Sequence, residues 1–113
     1  MAGGSRTSPS NAFQRPNSAM YVIVAEIEAL PGMEGDYLAL LRGTVAELAA
    51  DPCLERFDIS VSPTDPRRFL LHEIWQSRER YLQLRKGPVF ARYLSVRESC
   101  AKVLRSTEWE RVG

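Results

Sequence analysis

The chain of 113 residues is long enough for one domain, and its 44% apolar and 26% charged residues are ordinary for a soluble globular protein. A formal net charge of +1 gives no support for nucleic-acid or anionic-membrane binding, because both need a clustered basic surface. No apolar run approaches the roughly 18 residues of a membrane helix, and the N-terminus lacks the apolar core of a signal peptide. We therefore expect a cytoplasmic protein with no nucleic-acid or membrane partner.

The two cysteines, Cys53 and Cys100, are too few and too far apart in sequence to indicate a disulfide framework or a metal site. Free thiols are the expectation for a cytoplasmic chain. Residues 1–19 are rich in Gly, Ser, Asn and Pro, with Phe13 as the single large apolar side chain. Such a segment cannot bury enough surface to offset the entropy of ordering, so we predict a flexible tail over 1–19 and a folded domain over 20–113.

Alternating apolar residues predict a first strand over residues 21–29. Leu30-Pro31-Gly32 indicates a turn, and helical spacing of apolar residues then predicts a helix over 33–50, which Asp51-Pro52 ends. The later elements follow by the same reasoning. They are a strand around 57–61, a strand over 67–76, a helix capped by Ser77 and running to about 86, a second helical piece from 88 to about 100, and a strand over 103–112.

This order of elements predicts an α+β fold of the ferredoxin-like βαββαβ type, with a four-stranded antiparallel sheet and its helices on one side. The uncovered face of that sheet carries apolar side chains, namely Val22, Val24, Leu70 and Ile74. A single domain rarely leaves such a patch in water, so we predict a homodimer formed through the open sheet faces.

The strand over 67–76 holds the most informative residues. Because strands place alternate side chains on one face, Leu71, Glu73 and Trp75 point the same way. A carboxylate on an apolar face is costly without a partner or a function, so this face is either a small ligand pocket or a structural hydrogen-bond node. A helix that starts near Ser77 brings Tyr81 over the same face, whereas His72 points to the opposite one.

Several short motifs together resemble the antibiotic biosynthesis monooxygenase family of dimeric α/β barrels, including the small quinol monooxygenases. In chain order they are Pro31-Gly32, Asp51-Pro52-Cys53-Leu54, Asp65-Pro66-Arg67-Arg68-Phe69, Glu73-x-Trp75 and Gly87-Pro88-Val89-Phe90. The resemblance covers about residues 20–112 and implies a cofactor-free monooxygenase that oxidises a small aromatic phenol or quinol with dioxygen, without a metal.

The resemblance also implies a site. It assigns catalytic roles to Glu73 and Tyr81. It assigns substrate binding to Leu71, Trp75, Phe90 and Ala25, the last at the first-strand position of the family pocket.

The chain departs from the family at two positions, because Leu84 and Val89 stand where many small quinol monooxygenases carry histidines. Two functions therefore stay open: the monooxygenase, and a non-catalytic or regulatory module of the same fold that binds a small aromatic ligand. Glu73 is either a general base or a structural node. His72, the only histidine, is assigned a structural or interfacial role, and Arg85 either stabilises an oxyanion or is a solvated side chain.

Overall fold

The structure is a computed structural model that describes residues 19–113; the predicted tail over 1–19 therefore lies outside it except for Ala19. Seven helices and strands follow one another along these residues. They are β1 (Met20–Ala29), α1 (Glu34–Leu48), β2 (Leu54–Val61), β3 (Arg68–Trp75), α2 (Arg78–Arg85), α3 (Pro88–Arg97) and β4 (Ala101–Arg111).

The four strands form one antiparallel sheet in the order β2–β3–β1–β4. In this sheet Ile23 pairs with Glu73 and Ala25 pairs with Leu71, so the middle of β3 lies directly beside the middle of β1. The ferredoxin-like fold and the antiparallel sheet predicted from the order of elements are thus confirmed.

The predicted boundaries shift at the start of β2, which begins at Leu54 rather than at Phe57, and near the C-terminus. The last helix ends at Arg97 rather than near Cys100, and β4 begins at Ala101 rather than at Val103. Pairing of Ala29 with Ala101 extends β4 backwards, and the Leu30 amide donates to the Cys100 carbonyl at 2.8 Å. An irregularity between Glu26 and Ile27 leaves an extra residue in β4, which explains why the alternation there is weak in the sequence.

The core lies between the sheet and the three helices. Tyr37 of α1 and Tyr93 of α3 are both buried, and their hydroxyls are 2.8 Å apart in a hydrogen bond. The Tyr37 ring also meets Phe69 of β3 edge-on, with centroids 5.1 Å apart. The hydrogen bond joins α1 to α3, and the ring contact joins α1 to the sheet. Removing either hydroxyl would leave the other buried without this partner, which is costly.

The opposite face of the sheet is not covered by any described helix. Its central side chains are Val22, Val24, Leu70, His72 and Ile74. Leu70 is exposed, Val24 and His72 are partly exposed, and Val22 and Ile74 are buried. His72 is half exposed, with Nδ1 4.0 Å from a carboxylate oxygen of Asp58 on β2. The strand phase predicted from the sequence is therefore the one observed.

Two further findings concern the described residues as a whole. None of their helices is long and apolar enough to cross a membrane. They also contain no group of three His, Cys, Asp or Glu side chains arranged to hold a metal ion, and both cysteines are free and buried.

Two glycines allow a test of the local backbone. Gly32 has φ = 80°, a conformation that costs an L-residue about 1–2 kcal/mol, so Gly32→Ala should lower the free energy of unfolding by that amount. Gly43 lies inside α1, where a methyl group on its α-carbon would meet no neighbouring atom within 4 Å, so Gly43→Ala should raise it by about 0.5–1 kcal/mol. Urea denaturation of both variants checks this; equal effects at the two positions would contradict it.

Candidate functional site

A cavity of about 90 Å³ lies between the sheet and the helices, on the face of β3 that carries Glu73. Its walls come from every element of the fold except the loops. The lining residues are Ile23, Ala25, Ile27, Leu41, Thr44, Val45, Leu48, Phe57, Leu71, Glu73, Tyr81, Arg85, Phe90, Tyr93, Arg97, Val103 and Ser106. Five of the six residues that the sequence assigned to a site therefore meet at one cavity.

Glu73 is the carboxyl group of this cavity and is only 8% exposed. Its Oε1 accepts a hydrogen bond from Trp75 Nε1 at 3.0 Å, while Oε2 has no hydrogen-bond partner among the described residues. Burial raises the pKa of Glu73 from 4.5 to about 7, and the Trp75 hydrogen bond and the charge of Arg85 offset only part of this effect. Near neutral pH this group can therefore both accept and release a proton.

Tyr81 lies on α2, whose first turn is capped by Ser77: the Ser77 hydroxyl accepts from the Arg80 amide at 3.1 Å. The Tyr81 hydroxyl accepts a hydrogen bond from Arg85 Nη1 at 3.1 Å, one helical turn further on. Burial, followed by the negative charge of Glu73, raises the pKa of Tyr81. The hydroxyl thus stays protonated and can donate to an oxygen in the cavity.

Trp75 does not occupy the place that the sequence analysis gave it. The side chain is 0% exposed and does not line the cavity. Its ring packs behind the wall, with centroids 5.1 Å from Tyr81 and 6.5 Å from Phe90. Trp75 donates a hydrogen bond to Glu73 and supports the two aromatic rings that do line the cavity, so its position does not favour direct ligand contact.

Three polar lining residues on the helices were not predicted: Thr44 on α1, and Tyr93 and Arg97 on α3. The spacing of Phe90, Tyr93 and Arg97 at three and four residues places them on one helix face, a signal that is present in the sequence. Burial raises the pKa of Tyr93, while its hydrogen bond to Tyr37 and the charge of Arg97 act in the opposite direction.

The positions that distinguish this chain from histidine-bearing relatives are apolar here. Leu84 and Val89 are partly buried and pack against the core. His72, the only histidine of the sequence, lies on the opposite face of the sheet and is not among the residues that line the cavity. Of the lining side chains, Glu73 is thus the one that can act as a proton acceptor near neutral pH.

A second, larger cleft of about 460 Å³ lies at the end of the sheet, bounded by Tyr21, Arg78, Glu108 and Trp109 among others. Burial, followed by a hydrogen bond to Glu108, raises the pKa of Tyr21 to about 12. The glutamates that line this cleft lie at exposed positions of the sheet and of α2. One of them, Glu108, forms an ion pair with Arg78 at 3.7 Å. We assign the candidate site to the smaller cavity because it contains the buried, strongly perturbed carboxyl group.

The pKa of Glu73 predicts how stability changes with pH. Between its ordinary value of 4.5 and the folded-state value of about 7, the folded chain keeps a proton that the unfolded chain releases. The free energy of unfolding should therefore fall as pH rises through this window, by up to about 3 kcal/mol from this group. Glu73→Gln keeps an acceptor for Trp75 and removes the titration.

Urea denaturation of both proteins at several pH values measures this contribution. Subtracting the two curves removes the effect of all other titrating groups. A difference that does not change between pH 4.5 and 7 would show that Glu73 titrates in the folded protein as it does in the unfolded chain.

Solved structures with the same fold are numerous. SnoaB, a cofactor-independent oxygenase from Streptomyces nogalater, matches with a TM-score of 0.77 and 10% identity, covering 85% of this chain and 96% of its own. A protein from Chloroflexus aurantiacus J-10-fl, named as an antibiotic biosynthesis monooxygenase, matches with a TM-score of 0.74 and 20% identity, covering 83% and 94%. PA3566 from Pseudomonas aeruginosa matches with a TM-score of 0.72 and 20% identity, covering 88% and 100%. At these identities the likeness concerns the fold.

No curated protein matches the chain significantly. The family model for antibiotic biosynthesis monooxygenases, however, matches residues 20–95, which include β1, β2, β3, α1, α2 and most of α3. The match agrees with the motifs that the sequence analysis identified and with the fold of the solved structures. The chain belongs to the antibiotic biosynthesis monooxygenase family.

Proposed function

We propose that this protein is a cofactor-independent monooxygenase that oxidises a small aromatic phenol or quinol with dioxygen. The observation that carries the proposal is Glu73, a buried carboxyl group whose pKa is raised to about 7 and which lines an otherwise largely apolar and aromatic cavity. A base of this strength suits proton abstraction from a phenol near neutral pH. The family supports an oxygenase role, and SnoaB, with the same fold, is a cofactor-independent oxygenase.

The proposed reaction begins with transfer of the phenol proton to Glu73. The resulting phenolate passes one electron to dioxygen, and the superoxide formed joins the ring radical in a carbon–oxygen bond. Glu73 then returns its proton to the resulting peroxide. The ring carbon loses its hydrogen as a proton and the oxygen–oxygen bond breaks, so that one oxygen stays as a quinone carbonyl and the other leaves as hydroxide, which takes up that proton to give water. Atoms and electrons balance as phenol plus dioxygen giving quinone plus water.

The other lining side chains support this sequence of steps. In this reaction Tyr81 donates to the substrate oxygen. Arg85 donates to the Tyr81 hydroxyl, which supports that role by strengthening the donor. Phe90, Leu71 and Ala25 provide apolar walls. Such walls keep water away from the phenolate and from the radical pair.

Two substitutions test the assignment of roles. Glu73→Gln should lower the rate of oxygen uptake by about 100- to 10,000-fold, the usual contribution of a general base. Tyr81→Phe should cost about 1–3 kcal/mol in turnover or affinity, the value of one buried hydrogen bond. The measurement is oxygen consumption with a panel of hydroquinones and naphthols in chelator-treated buffer.

Two control variants belong to this experiment. His72→Ala changes the opposite face of the sheet, and Glu55→Gln removes an exposed carboxylate of β2. Both should keep wild-type rates. A rate that depends on His72 and not on Glu73 would overturn the proposed base.

A second function is favoured by one observation: no histidine lines the cavity. If the wild-type protein binds phenols without any oxygen uptake, it is a ligand-binding or regulatory module of this fold. In that case Tyr81→Phe still weakens binding of the phenol. Neither the wild-type protein nor Glu73→Gln then consumes oxygen.

We also propose that the protein is a homodimer joined through the open sheet face, because the exposed Leu70 and the partly exposed Val24 lie there beside Val22 and Ile74. Leu70→Asp should shift the wild-type dimer toward monomer in light scattering at micromolar concentration. Leu82→Asp is the matched control, since Leu82 is an exposed leucine of α2 away from this face. A wild-type monomer under these conditions would contradict the proposal.

A further inference from the structure

Two guanidinium groups belong to the wall of the Glu73 cavity. Arg85 is at the end of α2 and Arg97 is at the end of α3. Each lies against aromatic rings of the same wall: the Arg85 guanidinium carbon is 5.2 Å from the centre of the Phe90 ring, and that of Arg97 is 5.8 Å from the centre of the Tyr93 ring. Such contacts restrain a long side chain and hold its charge beside the cavity.

Neither guanidinium forms an ion pair with a carboxylate of residues 19–113. The contrast with their neighbours on the same two helices is informative. Arg80 of α2 lies 2.6 Å from Asp51, and Arg92 of α3 pairs with Glu47. Arg80 and Arg92 thus form ion pairs within the chain, whereas Arg85 and Arg97 form none among residues 19–113. The charge of Arg85 acts on Glu73 without forming an ion pair with it.

The size of the cavity limits what can enter. Its volume of about 90 Å³ is below the roughly 150 Å³ of an apolar protein cavity that admits benzene. A substituted ring can therefore enter only in part, with one hydroxyl toward Glu73 and its other substituents at the mouth, and two fused rings require the helices to move apart. Arg85 is exposed and Arg97 half-buried, so both are accessible to a substituent at the mouth.

We propose that the preferred ligand is a single-ring phenol or quinol that carries a carboxylate, with its hydroxyl toward Glu73 and Tyr81 and its carboxylate held by Arg85 and Arg97. This inference rests on the proposed function for the position of the hydroxyl and adds the class of substrate. Planar guanidinium groups bind carboxylates through charge-assisted hydrogen bonds that are about twice as strong as neutral ones.

A matched pair of ligands tests the proposal without any catalysis. The probes are 2,5-dihydroxybenzoate and its uncharged analogue 2,5-dihydroxybenzamide, which have the same ring and hydroxyls. Calorimetry under nitrogen should show the acid binding about tenfold or more tightly than the amide, and this preference should fall as salt is added. Equal affinities would overturn the proposal.

Arginine-to-glutamine variants test which side chains cause the preference for the acid over the amide. Arg85→Gln and Arg97→Gln should each reduce the acid-to-amide ratio by about tenfold, whatever their effect on the affinity for the amide. Arg80→Gln and Arg92→Gln, on the same helices, should leave the ratio unchanged. A ratio that survives in either cavity variant would overturn the two-arginine clamp.

Circular dichroism shows whether each variant folds. If one does not, Arg85→Lys or Arg97→Lys takes its place and should retain part of the ratio, because the charge remains and the planar fork is lost. The salt dependence on the wild-type protein tests the charge independently of any substitution.

The two proposals fail in different ways. Oxygen uptake with uncharged hydroquinone, together with equal binding of acid and amide, overturns the carboxylate preference and leaves the monooxygenase standing. Selective binding of the acid without oxygen uptake for any phenol or quinol overturns the monooxygenase and leaves the carboxylate site standing.

Discussion

The hydrogen bond from the indole of Trp75 to the carboxyl of Glu73 is the interaction on which the candidate site depends. Both side chains belong to β3 and lie two residues apart, so the pleat of the strand alone places them on the same face. A carboxyl group buried there loses the hydration that it has in water, and one N–H donor restores only part of it. Because the lost hydration is only partly replaced, the pKa of Glu73 is raised and the carboxylate becomes a stronger base.

Side chains of the three helices form the walls of the cavity opposite the sheet. Tyr81 and Phe90 both pack on Trp75, and the centroids of their own rings are 5.8 Å apart. The two rings therefore close the space above Glu73. The hydroxyl pair of Tyr37 and Tyr93 holds α1 and α3 together on the other side of the space. The cavity is therefore bounded by aromatic groups whose hydroxyls form hydrogen bonds, and two arginines add positive charge to its wall.

The sequence predicts the sheet side of this site well and the helix side less well. Alternation along β3 was sufficient to place Leu71 and Glu73 toward the helices and His72 away from them, because strand phase depends only on parity. Parity could not show that Trp75 is too deep to reach the cavity, since depth depends on how far α2 and α3 close over the ring. Tyr93 and Arg97 were missed because a helix has several candidate faces and only the packing against α1 selects one.

The boundaries that shifted have a similar cause. Alternation in β4 is interrupted by an extra residue opposite the Glu26–Ile27 irregularity, so a strict period of two fails there. The extension of β4 back to Ala101 comes from pairing with Ala29, a residue far away in sequence. Long-range pairing of this kind is not visible in a local pattern.

The strand order has a consequence for how the chain is made. β1 is central in the sheet, yet both of its neighbours, β3 and β4, follow it in the sequence, and Met20 pairs with Arg111 at the far end of β4. During synthesis β1 leaves the ribosome before both of its neighbours, and until β4 is made one row of its amide and carbonyl groups is open to strands of other chains. A chain truncated before β4 would keep that edge unpaired and therefore prone to pair with other chains.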